Sequence, residues 1–244
     1  MRLDQLLVVR GLFGSRERAR QAILAGAVDV EGRPIRKPAA AVEPEARLEI
    51  RAAVEPFVSR GGRKLAAALD HFELDPAGWT CLDAGASTGG FTDCLLSRGA
   101  RRVYAIDVGH DQLAPHLRSD PRVVSWEGIN ARHLPADFLP EACRLVVADL
   151  SFISMLKVAP ALLSHLEPGG VFLPLLKPQF EVGPAGVGKG GIVRDPGLRQ
   201  RVLGRVYSDL EAMGLDGWGL YDCPVPGSDG NQEAFGAFSK GSGP

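Results

Sequence analysis

From residue 80 onward the chain alternates short apolar runs with helix-like stretches, and this alternation restricts the fold more than any other feature. TCLDA, RVYAID, RVVSW, RLVVADL and VFLPLLK read as strands, while FTDCLLSRG, SMLKVAPALLSHL and LRQRVLGRVYSDLEAMG carry helical spacing. Such an order is satisfied by a doubly wound parallel sheet with helices on both faces. The ending differs. GWGLYDCPV and NQEAFGAFS flank Pro226-Gly227-Ser228-Asp229-Gly230, which reads as a hairpin whose last strand runs antiparallel. The expected fold class is therefore α/β, a Rossmann-like sheet with an antiparallel last strand, and ligands of such sheets sit at the carboxyl ends of the strands.

The first fifty residues follow another pattern. Leu3, Leu6 and Leu7 before Arg10-Gly11 suggest a short helix with a glycine stop, and Ser15 caps a second helix, RERARQAILAG, ending at Gly26. Ala19, Ala22 and Ile23 share one side of that helix, Arg16 and Arg20 another. AVDV-EG-RPI reads as a hairpin turning at Glu31-Gly32, and RLEI from Arg47 to Ile50 adds a strand. Two helices, a small sheet and helix arginines resemble the S4 RNA-binding module. The expected organisation is an S4-like α+β domain over 1–50, a linker over 51–61 and the larger domain over 62–244.

Charge is also uneven along the chain. Residues 1–64 carry 13 Lys+Arg against 8 acids, a net +5, and the remainder is −6. A basic small part on an acidic large part points to a polyanion met by the N-terminal segment. No apolar run approaches the roughly 18 to 20 residues that span a bilayer, and MRLDQLLVVRGLFGSR is interrupted by charge where a signal peptide needs an apolar segment. A cytoplasmic protein is expected. Cys81, Cys94, Cys143 and Cys223 are far apart, and the five histidines have no ligand spacing, so neither a zinc site nor a disulfide framework is signalled.

DAGASTGGF, Asp83 to Phe91, lies at a strand exit and a helix entry, where glycines permit a tight turn and close approach of a ligand. It is not a dinucleotide fingerprint, because Ser87 stands where G-x-G-x-x-G needs its middle glycine. Asp83 before the turn suits a ligand with an ammonium group, and Asp107, 24 residues on at the next strand end, suits ribose hydroxyls. Acid, turn and acid together read as S-adenosylmethionine rather than NAD. GPAGVGKG imitates a nucleotide phosphate loop and then fails, since Gly190 follows Lys189 where Ser or Thr must ligate magnesium. That stretch reads instead as a glycine-rich loop offering Lys189 and Arg194 to RNA phosphates.

Asp149 in ADLSF and Lys177 in LLKPQF fall at the carboxyl ends of their strands, where Pro178 ends the sheet pairing. Glu233, at the start of the antiparallel last strand, reaches the same edge, and Lys64 in SRGGRKL is near enough in sequence to fold over it. Singly, each is an ordinary strand-end charge. Two lysines and two acids at one edge, beside a proposed methyl donor, are a candidate catalytic group.

SRGGRKL, DAGASTGGF, ADLSFIS, LLKPQFE, VGKGGIVRD and NQEAF, in this order behind an S4-like segment, resemble the TlyA family of ribosomal RNA 2′-O-methyltransferases, whose catalytic domain is similar to the FtsJ/RrmJ methyltransferases. The resemblance covers nearly the whole chain. It implies a class I methyltransferase sheet, S-adenosylmethionine as cofactor, and ribosomal RNA or ribosomal subunits as partner, with no metal, no membrane and a monomeric protein. It implies a catalytic tetrad of Lys64, Asp149, Lys177 and Glu233, with Lys177 accepting the proton of a ribose hydroxyl or aligning its oxygen. The cofactor-binding set is expected to be Asp83, Gly85, Ala86, Ser87, Thr88, Gly89, Gly90, Phe91, Asp107, Asn130 and Asp149. RNA contacts are expected from Arg16, Arg20, Arg60, Lys189 and Arg194. The target implied is a cytidine, and shorter family members that begin, as here, at the S4-like helix lean toward the large subunit. The rival readings are a non-catalytic RNA-binding assembly factor and a membrane-active haemolysin.

Overall fold

In the computed structural model every residue is described except 15, 25, 51–55, 184–185, 189 and 242–244. The chain divides into two compact units, Met1–Pro56 and Phe57–Pro244.

In the first unit, α1 (Leu3–Val9) and α2 (Arg16–Leu24) precede a small antiparallel sheet of β1 (Val28–Val30), β2 (Arg33–Pro34) and β3 (Leu48–Ile50), in the order β2-β1-β3. Leu3 and Leu7 of α1 meet Ala19, Ala22 and Ile23 of α2 in a core that also takes Val28. The hairpin forms at Glu31-Gly32, both with positive φ, and pairs Val30 with Arg33. That is the primed turn which suits the right-handed twist of two strands. Gly11 and Gly26 follow the helices in left-handed geometry, as expected of helix stops. The expected cap at Ser15 lies outside the described residues.

The second unit opens with α3 (Arg60–His71), β4 (Thr80–Ala84), α4 (Gly90–Ser97), β5 (Arg102–Asp107), α5 (Pro115–Arg118) and β6 (Val123–Glu127). It continues through β7 (Cys143–Ala148), α6 (Ala159–Leu163), β8 (Leu166–Leu176), α7 (Pro178–Glu181), α8 (Pro196–Glu211), β9 (Leu215–Asp222) and β10 (Ala234–Lys240). The sheet order is β6-β5-β4-β7-β8-β10-β9. Strands β6, β5, β4, β7 and β8 pair in parallel, and β10 lies antiparallel between β8 and β9. After β6 the chain returns to the other side of β4, so a crevice opens at the carboxyl ends of β4 and β7.

Strand alternation builds the two faces. Leu82, Ala84, Phe172 and Leu176 join Leu162 of α6 and Leu203, Val206 and Leu210 of α8. Cys81, Leu173 and Leu175 join Leu65 and Leu69 of α3, Leu95 of α4 and Leu117 of α5. Fully burying a leucine contributes about 1.5–3 kcal/mol, and these faces hold the strand ends rigid beneath the crevice.

Two elements depart from the sequence reading. SMLKVAPALLSHL does not form one helix: a 3₁₀ turn at Met155–Lys157 precedes α6, because Pro160 has no N–H to continue a helical ladder and sits in the first turn of a new helix. Helix α3 occupies a stretch whose Gly61 and Gly62 conceal helical propensity. A Cβ on Gly62 would lie 2.3 Å from the ring of Phe57.

Candidate active site

The turn after β4 is tied to the neighbouring strand ends. Gly85 N–H donates to the Ile106 carbonyl at 2.9 Å, and Asp149 N–H to the Ala84 carbonyl at 2.9 Å. Gly85 has φ +85°, and a Cβ there would lie 2.4 Å from the Asp149 carbonyl oxygen. Only glycine lets these two backbones pass so closely. Asp107 then stitches the turn from the side: one carboxylate oxygen accepts from Ser87 N–H at 2.8 Å and the other from Gly109 N–H at 2.7 Å.

Two cavities meet at this turn and share Gly85, Ser87 and Asp149. The larger, ≈ 510 Å³, is lined by Asp107, Val108, Ile129, Asn130 and Phe152 among others. The smaller, ≈ 320 Å³, is lined by Arg60, Lys64, Ala86, Thr88, Gly90, Phe91, Lys177, Ser228 and Glu233 among others. Asn130 is exposed and uses its carbonyl to accept from Arg132 N–H at 3.0 Å.

Lys64, Glu233, Lys177 and Asp149 therefore line one cavity, as two ion pairs. Lys64 Nζ lies 2.5 Å from Glu233 Oε2, with both residues buried. Lys177 Nζ lies 2.6 Å from Asp149 Oδ1 and donates to Ser151 Oγ at 3.1 Å. Lys64 reaches the edge because α3 crosses α4 nearly backbone to backbone: a Cβ on Gly90 would lie 2.9 Å from Gly62 N and 2.2 Å from Ser59 Oγ. Asp93 of α4 accepts from Val58 N–H at 2.9 Å and anchors the approach to α3. Glu233 sits just before β10, and a Cβ added at Gly227 would lie 2.7 Å from its Oε1, so only glycine leaves room for this carboxylate.

Asp83, expected among the cofactor-binding residues, is not brought to either cavity. It is fully buried and accepts from Thr92 Oγ1 at 2.7 Å through Oδ2. Alternation explains this: Leu82 and Ala84 face one core, so Asp83 turns toward α4 on the other. Burial, with Asp149 nearby, pushes its carboxyl up to about 7, and Oδ1 has no partner among the described residues. Gly89, with φ +97°, is likewise absent from both linings and makes room for Leu117.

The candidate RNA contacts are distributed over both units. Arg60 is exposed at the start of α3 and lines the smaller cavity, whereas Arg194 is exposed on the loop before α8. That loop is pinned by buried Asn231, which accepts from Val193 N–H at 3.0 Å and donates to the Gly191 carbonyl at 2.9 Å. Lys189 lies outside the described residues. In the first unit, Arg16 and Arg20 are exposed on α2; Arg16 donates to buried Asp4 at 3.0 Å, and Arg20 pairs with Glu17 at 3.3 Å. The four cysteines are free and buried.

Sequence reasoning did not single out Ser151 or Phe152, although both stand within the quoted ADLSFIS. Their position just past a strand end was the available signal. Phe152 is 91% exposed with φ +63°, and its ring lies 5.2 Å from that of Phe180.

Sheet order, glycine turn and the acid at the second strand end define the class I fold of S-adenosylmethionine-dependent methyltransferases. A solved methyltransferase of this type from Mesorhizobium loti shares the fold, at TM-score 0.54 and 16% identity over 71% of this chain and 96% of its own. The FtsJ-like methyltransferase model matches residues 57–240 and the S4 domain model residues 1–48. The chain belongs to the TlyA family, the FtsJ-like methyltransferases that carry an S4 domain. The 16S/23S rRNA (cytidine-2′-O)-methyltransferase TlyA of Mycobacterium tuberculosis is 48% identical over 96% of this chain and 88% of its own length. Hemolysin A of Brachyspira hyodysenteriae is 41% identical over 98% and 99%. A solved structure labelled a hemolysin, from Streptococcus thermophilus, matches with TM-score 0.75 and 39% identity over 100% of this chain and 90% of its own. Among the described residues no helix is long and apolar enough to cross a membrane.

Proposed function

We propose that this methyltransferase methylates the ribose 2′-hydroxyl of a cytidine in ribosomal RNA, with 23S rRNA as the first candidate and 16S rRNA as the second. The observation that carries the reading is the pair of ion pairs, Lys64–Glu233 and Lys177–Asp149, in one cavity that shares a wall with the Asp107 crevice. The 48% identical relative, named for this reaction, supports the substrate.

The residues of the crevice fit S-adenosylmethionine. Asp107, fixed by two backbone N–H groups, retains acceptor capacity for ribose hydroxyls, and Val108, Ile129 and Asn130 offer a wall to an adenine. Asp83 Oδ1, buried and without a donor among the described residues, lies behind the turn from Gly85 to Thr88, and a ligand ammonium there would favour its ionised form. When bound, S-adenosylmethionine supplies a methyl group activated on a sulfonium.

The protein's part is to place the acceptor oxygen and to manage its proton. Lys177 is held from two sides, by Asp149 and Ser151, and its ammonium keeps a direction for the hydroxyl oxygen. The new C–O bond would form as the methyl–sulfur bond breaks to leave a neutral thioether, and the hydroxyl proton passes to the Asp149 carboxylate, since the Lys177 ammonium has no lone pair to accept it. Lys64 and Glu233 close the opposite wall and hold α3 against the mouth of β10. Positioning of this kind removes much of the barrier without strong acid or base, and a 2′-hydroxyl acceptor makes the substrate RNA rather than DNA.

The test is incubation with S-adenosylmethionine and ribosomal subunits or naked rRNA from cells lacking the protein, followed by mass-spectrometric mapping of ribose methyls. A new methyl on one cytidine is expected. Lys177→Ala is expected to lose at least about 100-fold in turnover with cofactor affinity retained. Cofactor binding without methylation of any RNA would overturn the substrate, and a non-catalytic role in ribosome assembly would replace it.

A further inference from the structure

Glu181 is a buried carboxylate near the active site that lines neither cavity. It ends α7, the short helix that Lys177 opens. Its Oε2 accepts from Ser154 Oγ at 2.6 Å and its Oε1 from Met155 N–H at 2.8 Å. Its backbone carbonyl accepts from Arg205 of α8 at 2.8 Å. Ser154 and Met155 begin the 3₁₀ turn after β7, and Ser154 makes no side-chain cap of its own. Glu181 thus caps that turn from a different strand crossing, satisfying a backbone donor that would otherwise be orphaned.

Between the end of β7 and this anchor runs the segment from Asp149 to Ser154. It carries Asp149 and Ser151, both partners of Lys177, and Phe152 in left-handed geometry. A non-glycine residue at φ +63° persists only where its surroundings hold it. One end of the segment is held by Asp149 N–H on the Ala84 carbonyl. Glu181 holds the other, and through α7 it is also joined to Lys177.

We propose that Glu181 is a positioning residue for methyl transfer: by tying the Ser154–Met155 turn to the Lys177 segment, it sets Lys177 Nζ against Asp149 and Ser151. This rests on the catalytic reading of Lys177 above. The chemistry at Glu181 is two acceptor positions facing one hydroxyl and one N–H. Glutamine can replace it, because a serine hydroxyl also accepts: the amide oxygen takes Met155 N–H and the amide NH₂ donates to Ser154 Oγ. Alanine supplies neither.

The experiment compares the full-length protein with its Glu181→Ala, Glu181→Gln and Ser154→Ala variants. Single-turnover methylation of rRNA is measured at saturating cofactor, cofactor affinity by calorimetry, and the Lys177 ammonium by ¹⁵N NMR, identified as the resonance absent in Lys177→Ala. Glu181→Ala is expected to lower the rate about tenfold or more, with cofactor affinity within about twofold of the parent and the Lys177 resonance shifted. Glu181→Gln is expected to restore both rate and resonance, with Ser154→Ala in between. A Glu181→Ala protein with the parent's rate or an unmoved Lys177 resonance would overturn the assignment, as would parallel loss of rate and cofactor binding, which marks a merely structural residue. If Glu181→Ala does not fold, Ser154→Ala decides by the same criteria. If the parent methylates no RNA, the proposed substrate fails, and the NMR comparison still decides whether Glu181 positions Lys177.

Discussion

Asp83 shows how a single residue connects sequence, fold and pH. Its folded carboxyl lies at about 7 against an ordinary 3.8, so the folded protein holds this proton more tightly than the unfolded chain does. The stability it contributes is present below 3.8 and is lost as pH rises through about 7. Asp83→Asn removes that loss. Thermal unfolding followed from pH 5 to pH 8 is expected to show the parent falling relative to Asp83→Asn, while the variant binds S-adenosylmethionine more weakly. A pH-independent difference in Tm would contradict this account. Gly85 is legible as a necessary glycine in DAGASTGGF, but that Asp83 faces Thr92 and lines neither cavity is not. Sequence places an acid at a strand end, and only the pleat decides the face it takes.

Among the elements, the α3–α4 crossing carries most of the site's geometry, since Lys64 rides on α3 and the ligand turn feeds α4. Gly90→Ala puts a methyl 2.9 Å from Gly62 N, where backbone must move. It is expected to cost about 1–3 kcal/mol by overpacking and to lower turnover further by shifting Lys64. Chemical denaturation and single-turnover rates check the two effects separately. The five parallel strands were readable from their apolar runs, whereas α3 was not, because Gly61 and Gly62 weaken its helical signal. Packing supplies the compensation at one of them: a Cβ on Gly62 would lie 2.3 Å from the Phe57 ring, while the close approach of α3 to α4 rests on Gly90. The split of SMLKVAPALLSHL depends in turn on a proline whose local rule lost weight beside a long apolar pattern.

For the whole molecule, charge is uneven along the chain. Residues 1–64 are net +5 and the remainder is −6, and the basic stretch runs from the first unit onto α3 of the second, where Arg60, Arg63 and Lys64 stand, so attraction to a polyanion extends to the edge of the candidate site. RNA affinity is expected to fall about tenfold or more between 50 and 200 mM salt, with cofactor affinity nearly unchanged. Arg20→Ala is expected to weaken RNA binding and reduce the salt slope by about 1 without altering cofactor binding. Filter binding across a salt series and calorimetry measure both. A slope unchanged by Arg20→Ala would remove α2 from the RNA contact. From sequence alone came the fold class, the glycine turn, the acid at the second strand end and the four charged residues expected at one sheet edge, because hydrophobic period and ordered short motifs are local properties of the chain. Tertiary structure alone decided how the tetrad divides into Lys64–Glu233 and Lys177–Asp149, which acid is buried behind the turn, and that Glu181 anchors the loop between strands. Those pairings join residues as much as 169 positions apart, and distance in space between such residues is set by strand order and packing, which no local pattern encodes.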